Sequence, residues 1–200
     1  MPYPSVDGPY GLIPINLIGG QVFASATRQI PIATNSSTTI FFGDVVRLNS
    51  TGTLDKDTGT NVATPVGVFL GCSYTDPVFG KTFRQFYPGT TNITDVVAYV
   101  QDDPDALFKA AVCTAGSTTI SFVTRANVGE NSALVQNAGN TLNGDSRVAI
   151  SATAATASTL PVRIIDVIPE TSPAGFPGSF TEVVVKWNQG MHPYLNPTGV

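Results

Sequence analysis

Short stretches rich in Val, Ile, Phe and Thr alternate along this chain with clusters of Gly, Asn, Asp and Pro. Such a pattern is typical of β-strands separated by turns. The alternation is clearest near the C-terminus, where every second residue from Val183 to Trp187 is apolar and shares one face. The pattern predicts ten strands: Thr38–Phe42, Val45–Asn49, Val66–Tyr74, Thr82–Tyr87, Val96–Gln101, Leu107–Cys113, Thr119–Arg125, Val148–Thr153, Val162–Ile168 and Glu182–Asn188.

Helical periodicity never extends beyond two turns. The best helical candidate is Asn131 to Ala138, where Asn131 or Ser132 could cap one turn before Gly139 ends it. Alternating apolar and polar positions instead favour antiparallel sheets with one face exposed to water. We therefore predict an all-β fold, an antiparallel barrel or a jelly-roll-like sandwich, with extended N- and C-terminal arms.

The two ends of the chain combine prolines with apolar residues. Residues 1–20 hold four prolines, which disfavour a helix or a central strand, together with aliphatic residues that make a solvated tail costly. This combination predicts an extended arm lying on another surface, either of its own domain or of a neighbour. We expect an arm at 1–20, one β domain at 21–188 with a long loop at 169–180, and a C-terminal tail at 189–200.

Apolar residues of both arms are the candidate contacts with a partner. In the tail, Pro193 and Pro197 forbid regular structure. The candidates are Leu12, Ile13, Ile15, Leu17 and Ile18 in the arm, and Met191, Tyr194 and Leu195 in the tail.

Two polar segments are assigned to the surface. The run SATAATASTL at 151–160 predicts an exposed strand edge or loop. Asp55, Lys56 and Asp57 predict the polar tip of a hairpin.

Composition narrows the choice of partners. Charged residues make up 12% of the 200 residues, against about 25% in average soluble chains. The net charge is −4 and the ten basic residues are scattered, which argues against nucleic acid as a partner. No apolar run approaches the length of a membrane-spanning helix, and the N-terminus lacks the features of a secretory signal. We expect neither nucleic acid nor a membrane as partner.

The sequence offers little for catalysis. His192 is the single histidine, and no serine lies in a GxSxG elbow. It is expected to be a packed or solvent-facing residue of the tail. Cys72 and Cys113 are far apart and in no metal-binding spacing; a disulfide and two buried thiols both remain open. We predict that the chain is not an enzyme and has no cofactor or metal.

Two clusters have both a structural and a functional interpretation. Asp102, Asp103 and Asp105 fit a turn at the end of a strand, with a weak calcium site as the alternative. Five aromatic residues close together could form a sugar-binding platform or simply anchor core and loops. They are Tyr74, Phe79, Phe83, Phe86 and Tyr87.

Four segments carry a resemblance to a known family. They read PYGLIPINLIGGQVFASATRQIPI at 9–32, FFGDVVRLN at 41–49, TPVGVFLGCSYTDP at 64–77 and VKWNQGMHPY at 185–194. Together they resemble the capsid decoration, or cement, proteins of tailed bacteriophages, particularly those that infect cyanobacteria and marine bacteria. The likeness rests on the texture and order of these segments across most of the chain.

The resemblance implies a β-rich structural protein on the outside of the icosahedral head, often trimeric. It implies two partners, the major capsid protein and further copies of the chain, and a virion location after synthesis in the host bacterial cytoplasm. Such a protein would clamp neighbouring capsid subunits as the shell expands. Deletion of residues 1–20 is then expected to abolish capsid binding and leave the β body folded. The alternative is a β-sandwich carbohydrate-binding or adhesin module, with a glycan as its ligand.

Overall fold

A computed structural model describes residues 8–23, 26–90, 92–114, 119–168, 171 and 180–198. Within these residues the fold is all-β, which confirms the predicted class. The strands are β1 (Ile13–Leu17), β2 (Arg28–Pro31), β3 (Val45–Leu48), β4 (Leu54–Lys56), β5 (Gly67–Asp76), β6 (Gly80–Arg84), β7 (Val97–Gln101), β8 (Ala106–Cys113), β9 (Asn131–Val135), β10 (Ala149–Ala155), β11 (Val162–Val167) and β12 (Glu182–Trp187). A 3₁₀ helix at Arg125–Asn127 precedes β9.

The first sheet closes on itself as a five-stranded barrel in the order β8, β10, β9, β11, β12 and back to β8. Its pairings are antiparallel except that of β8 with β10. β10 pairs only with the last two residues of β8, so the first half of that edge accepts β1, with Leu17 opposite Ala106. The N-terminal segment therefore fills a gap beside the barrel.

The second sheet has the order β2, β7, β5, β3, β4, and β6 also pairs with β5. A parallel bridge between Ile32 and Leu54 joins its two ends. β5 is ten residues long because it pairs with β7 along one edge and with both β3 and β6 along the other. The β5–β6 hairpin extends past β7, whose pairing with β5 ends at Ser73.

β3 and β5 of the second sheet lie at the junction and contribute side chains to both cores. Val45 and Val68 are directly paired and lie in the core of the first barrel. Val46 and Phe69, the next residue in each strand, lie in the core of the second sheet. Successive side chains of a strand point to opposite faces, so these strands are buried on both sides. Their continuous apolar runs follow from that position.

A buried carboxylate ties the sheets together at the same place. Asp44 is fully buried. Its Oδ2 accepts a hydrogen bond from the backbone N–H of Phe41 and forms an ion pair with Lys56 Nζ at 2.7 Å. Ser146 Oγ donates to Asp44 Oδ1 at 2.6 Å. A buried charge is tolerated when it is paired and fully hydrogen-bonded. Asp44, in the turn before β3, therefore links Lys56 in β4 to Ser146 in the segment before β10.

The prediction of a helical turn at 131–138 is wrong. Residues 131–135 form β9, which lies between β10 and β11 and is buried at every position. Ser132 Oγ donates to the carbonyl of Ser151 at 2.7 Å, so the hydroxyl serves a neighbouring strand instead of a helix cap. Pairing on both sides outweighs the weak local preference of this sequence.

Two of the ten expected strands are not formed. In 119–125, a single bridge joins Ile120 to Cys113, and the segment runs into the 3₁₀ helix, where Thr124 N donates to Asn127 Oδ1. In 38–42, isolated bridges at Ile40 and Phe42 replace a strand. The first segment stays beside the first barrel, where Val123 is buried, whereas 38–42 passes from Tyr87 to Asp145. Neither has a neighbouring strand along its whole length.

The two polar segments expected at the surface have different outcomes. Most of 151–160 forms the expected strand edge and loop: Ser151 is buried and pairs with β8, but the later residues of β10 pair with β9 alone, and residues 156–159 are exposed. Asp55 and Lys56 lie in β4, and Asp57 is buried, where it accepts hydrogen bonds from the N–H groups of Gly59 and Thr64. The β3–β4 turn instead lies at 49–53. Apart from Thr171 and Phe180, the long loop expected at 169–180 lies outside the described residues.

Candidate interaction surfaces

The N-terminal candidates differ widely in exposure. Leu12 is fully buried in the core of the first barrel. Ile13, Ile15 and Leu17 are half-buried in β1, and Ile18 is 51% exposed. Residues 1–7 of the arm lie outside the described residues. That these residues contact a partner stays a prediction, but Leu12 cannot do so while the barrel is folded.

The segment before β1 lies against the junction of the sheets. Gly11 has a φ of +84°, and a Cβ built on it would lie 2.7 Å from the carbonyl oxygen of Gly43. The N–H of Leu12 donates to that carbonyl. Tyr10 OH donates to Glu182, which also pairs with Lys109 Nζ at 3.0 Å. Burial and this carboxylate raise the pKa of Tyr10 above its ordinary value, so the phenol stays protonated and donating.

The C-terminal candidates lie on a segment of different character, residues 188–198, which we call the strap. The strap leaves the first barrel at the end of β12, where Asn188 Nδ2 donates to the carbonyls of Ser158 and Leu160. It then reaches the second sheet. Met191 is half-buried on it, whereas Tyr194 and Leu195 are 45% and 52% exposed.

His192 anchors the strap to the second sheet. Its side chain is fully buried, and Nε2 lies 2.8 Å from the carbonyl oxygen of Val66. Tyr194 packs against the imidazole at 4.8 Å and donates from its hydroxyl to Asp102. Arg28 pairs with Asp102 at 2.8 Å and lies over the Tyr194 ring. The packed alternative for His192 is therefore confirmed.

Among the residues that the structure describes, three strongly exposed large apolar side chains lie together on one element, the β5–β6 hairpin. Val78, Phe79 and Phe83 are 79%, 78% and 70% exposed. Asp76 Oδ1 accepts the N–H groups of Val78 and Phe79, and these bonds lower the pKa of that carboxyl. Gly80 closes the turn with a φ of +75°. The two apolar residues at the tip are therefore held outward by a hydrogen-bonded turn.

The sequence left two interpretations of the five aromatics open, a sugar-binding platform or anchors of core and loops, and they do not form a platform. Tyr74 and Tyr87 are fully buried in the second core. Phe86 stacks on Phe41 with 5.8 Å between ring centroids. Only Phe79 and Phe83 of the five are exposed. The sequence feature that could have identified this exposed surface is Asp-Pro-Val-Phe-Gly at 76–80. It is a turn that contains large apolar residues, although turn residues are usually polar.

An open groove lies beside the hairpin. Its volume is about 480 Å³, and its walls include Leu70, Phe83, Arg84, Gln85 and Tyr99. Gln85 Nε2 donates to Asp145 Oδ1 at 2.7 Å, which fixes one wall. The groove thus offers aromatic and hydrogen-bonding side chains together.

The acidic cluster forms the expected turn, between β7 and β8. Asp102 pairs with Arg28, Asp103 accepts the N–H of Asp105, and Asp105 pairs with Lys186 at 2.6 Å. Across the described parts of the chain, no three His, Cys, Asp or Glu side chains are placed to hold a metal ion. Nor does any helix in those parts have the length and apolarity to cross a membrane.

Both cysteines are free, buried thiols, which settles the alternative left open by their spacing. Cys72 lies in the second core and Cys113 in a small cluster on the first barrel. Burial raises the pKa of Cys72 to about 12 and that of Cys113 to about 11. Because the thiolate is the reactive form, neither is poised as a nucleophile.

Comparison with known proteins does not identify the chain. No family model matches it, and no curated protein or solved structure matches it either.

Proposed function

We propose that this chain is a structural virion protein, not an enzyme, that binds the outside of a phage head and stabilises the expanded capsid. Its partner is the major capsid protein, and neighbouring capsid subunits are clamped by its contacts. Support comes from the four sequence segments that resemble phage decoration proteins and from a body of two joined β-sheets.

The observation that carries the proposal is the exposed β5–β6 hairpin. Three large apolar side chains on one short element are a costly surface unless a partner covers them. The tip is held by the hydrogen bonds to Asp76, so little ordering is needed before it binds. An aromatic residue inserted into a pocket of the partner is the usual form of an interface hot spot.

The proposed contact residues therefore no longer centre on β1 and the residue before it. Leu12 and the inward side chains of β1 complete the chain's own barrel. The hairpin becomes the main contact, and the accessible parts of the two arms, Ile18, Tyr194 and Leu195, become secondary contacts. Deletion of residues 1–20 would remove both β1 and a core residue, so it no longer separates binding from folding.

The proposed mechanism is stabilisation by mass action. A ligand that binds the expanded shell and not its precursor favours the expanded state in proportion to the logarithm of its excess over Kd. A homotrimer would engage several capsid subunits at once, and linked contacts gain strongly from avidity. A closed ring of identical subunits would place each hairpin in the same environment.

The test is co-sedimentation with expanded, empty phage heads, after light scattering has measured the mass of the free protein. We expect a trimer that binds heads saturably. The double variant Phe79→Ser/Phe83→Ser is expected to lose binding at least about tenfold, because hot-spot aromatics each carry more than about 1 kcal/mol. Leu142→Ser is the matched control, since Leu142 is 95% exposed and lies outside the hairpin.

Each outcome has a separate meaning. A wild-type chain that ignores heads would contradict the proposed function. A double variant that binds as the wild type does would leave the function in place and remove the hairpin from it. Equal losses in the double variant and in Leu142→Ser would indicate non-specific apolar adhesion.

The groove beside the hairpin favours one alternative, a carbohydrate-binding or adhesin module. Phe83 and Tyr99 supply aromatic surface there, and Arg84 and Gln85 supply hydrogen-bond donors. Saturable binding of a soluble glycan, weakened by Tyr99→Ala and independent of phage heads, would support this alternative.

A further inference from the structure

The strap connects the two halves of the molecule without forming a strand. It begins directly after Trp187, the last residue of β12 in the first barrel, and its polar anchors beyond Gln189 lie on the second sheet. Those anchors are His192 and Tyr194. Whatever loosens His192 therefore loosens a connection between the sheets.

Both ring nitrogens of His192 are engaged. Nε2 lies 2.8 Å from the Val66 carbonyl, which can only accept, so Nε2 carries the proton. Nδ1 accepts the backbone N–H of Tyr194 at 3.3 Å. This arrangement requires a neutral imidazole in one tautomer. A proton added to Nδ1 would face the N–H of Tyr194 and remove its acceptor.

The charged groups around the imidazole oppose one another. The Val66 carbonyl favours the protonated ring, as do Asp102, through both its charge and its backbone carbonyl, and the charge of Asp103 in the same turn after β7. Arg28, on β2, is paired with Asp102 and faces Tyr194, so it offsets part of that carboxylate. Burial disfavours the charge and is the largest effect, so the pKa of His192 lies below its ordinary value of 6.5.

We infer that His192 is a pH-sensitive latch: protonation at Nδ1 by solvent releases the strap from the second sheet, and deprotonation restores it. The only covalent bond that forms or breaks is the N–H of the ring, and the proton comes from and returns to solvent. The latch is independent of the proposed function, because it rests only on contacts within the chain. Its consequence is that acid exposes the surface beneath the strap and frees the backbone of Val66.

The direction of the pH effect follows from the depressed pKa. The docked strap is fully stabilised above about pH 6.5, where the ring is neutral both docked and released. Stability falls as the pH drops below 6.5, because the released ring binds the proton more readily. Asp76 and Asp95 have pKa values lowered below 3.8 by hydrogen bonds. These two carboxyls therefore titrate in more acidic solution than the histidine.

The test uses the fact that His192 is the single histidine of the chain. Hydrogen exchange of residues 189–198 is measured at pH 7.5 and pH 5.0, with each rate divided by that of an unstructured peptide at the same pH. NMR follows the His192 ring over the same range. We expect protection of the strap to fall about tenfold at pH 5.0, the scale of one lost buried acceptor. The strap amides should change with the same midpoint as the ring.

Two variants serve as controls. His192→Gln keeps a donor for the Val66 carbonyl without titrating, so strap protection should be the same at both pH values. Tyr194→Phe loses the hydroxyl bond to Asp102 and should lower protection at both pH values while the pH response remains.

Three results would overturn the latch. The first is unchanged strap protection in the wild type down to pH 5.0. The second is an equal fall in His192→Gln, which would assign the response to other groups. The third is a strap transition whose midpoint differs from that of the His192 ring, and this result does not depend on the folding of any variant.

Discussion

The N-terminal segment and the C-terminal strap both lie across the junction of the two sheets, but they are held by different forces. The N-terminal segment donates backbone hydrogen bonds, adds a strand to β8 and places Leu12 in the barrel core. The strap forms no strand and is attached mainly through the side chains of Asn188, His192 and Tyr194.

This difference separates structural from movable parts. A strand ladder and a core residue can be lost only together with the barrel around them. Attachment through a few side chains can be broken locally, with a free energy below that of global unfolding. The strap is thus the part of the molecule that can respond to conditions while both sheets remain folded.

The largest expected contrast is between Leu12 and Leu195, which are fully buried and 52% exposed. Leu12→Ala should lower the free energy of unfolding by about 2–5 kcal/mol, through lost burial and the cavity left behind. Leu195→Ala should change it by less than about 0.5 kcal/mol. Urea denaturation followed by Trp187 fluorescence measures both. Similar changes in the free energy of unfolding for the two substitutions would contradict the proposed difference between the N-terminal segment and the strap.

Two glycines with positive φ sharpen the comparison. Gly11 and Gly190 have φ values of +84° and +79°, but only Gly11 has atoms within 4 Å of an added Cβ. Gly190→Ala should cost about 1 kcal/mol from backbone strain alone. Gly11→Ala should cost about 2 kcal/mol or more, because the backbone of Gly43 must also move. Thermal and urea unfolding of the two variants tests the order; a larger cost at Gly190 would contradict it.

Two tyrosines bonded to carboxylates give a third pair. Tyr10→Phe removes a donor from Glu182, which is 5% exposed, and should cost about 2 kcal/mol. Tyr194→Phe removes a donor from Asp102 at an exposed position and should cost less than about 1 kcal/mol. Glu182 keeps its partner Lys109 in the variant, so the fold should persist and the two unfolding curves can be compared directly.

The smallest expected effect is the pH dependence of the strap. Burial lowers the pKa of His192, so the free energy of unfolding should be lower at pH 5.0 than at pH 7.5. His192→Gln should remove the part of that difference that arises between pH 6.5 and 5. Urea curves at both pH values measure it, and Leu12→Ala, whose defect is apolar, should retain the full pH difference.

Local periodicity predicted much of the fold. β5, β8 and β12 begin or end within one or two residues of the predicted strands, because their apolar residues face buried cores. β10 was also predicted to within two residues at each end. β9 was mistaken for a helical turn, since its Asn, Ser and Ala residues have no strong strand preference. It becomes a strand because neighbours on both sides satisfy its backbone groups.

The candidate surface was less predictable than the fold. Composition identified apolar residues at both ends, but could not tell Leu12, which fills the core, from Ile18, which is exposed. The hairpin aromatics Phe79 and Phe83 were grouped with Tyr74 and Tyr87, which proved to be buried. Spacing along the chain carries no information about which of these side chains another strand will cover.

By itself, the sequence determined the all-β class, the positions of most strands and the residues able to share a face, since these depend on alternation and turn chemistry within a few residues. The tertiary structure alone decided that the first sheet closes, that β3 and β5 lie between two cores, and that His192 is buried against Val66. The reason is that burial depends on pairing between residues far apart in the chain, such as His192 and Val66.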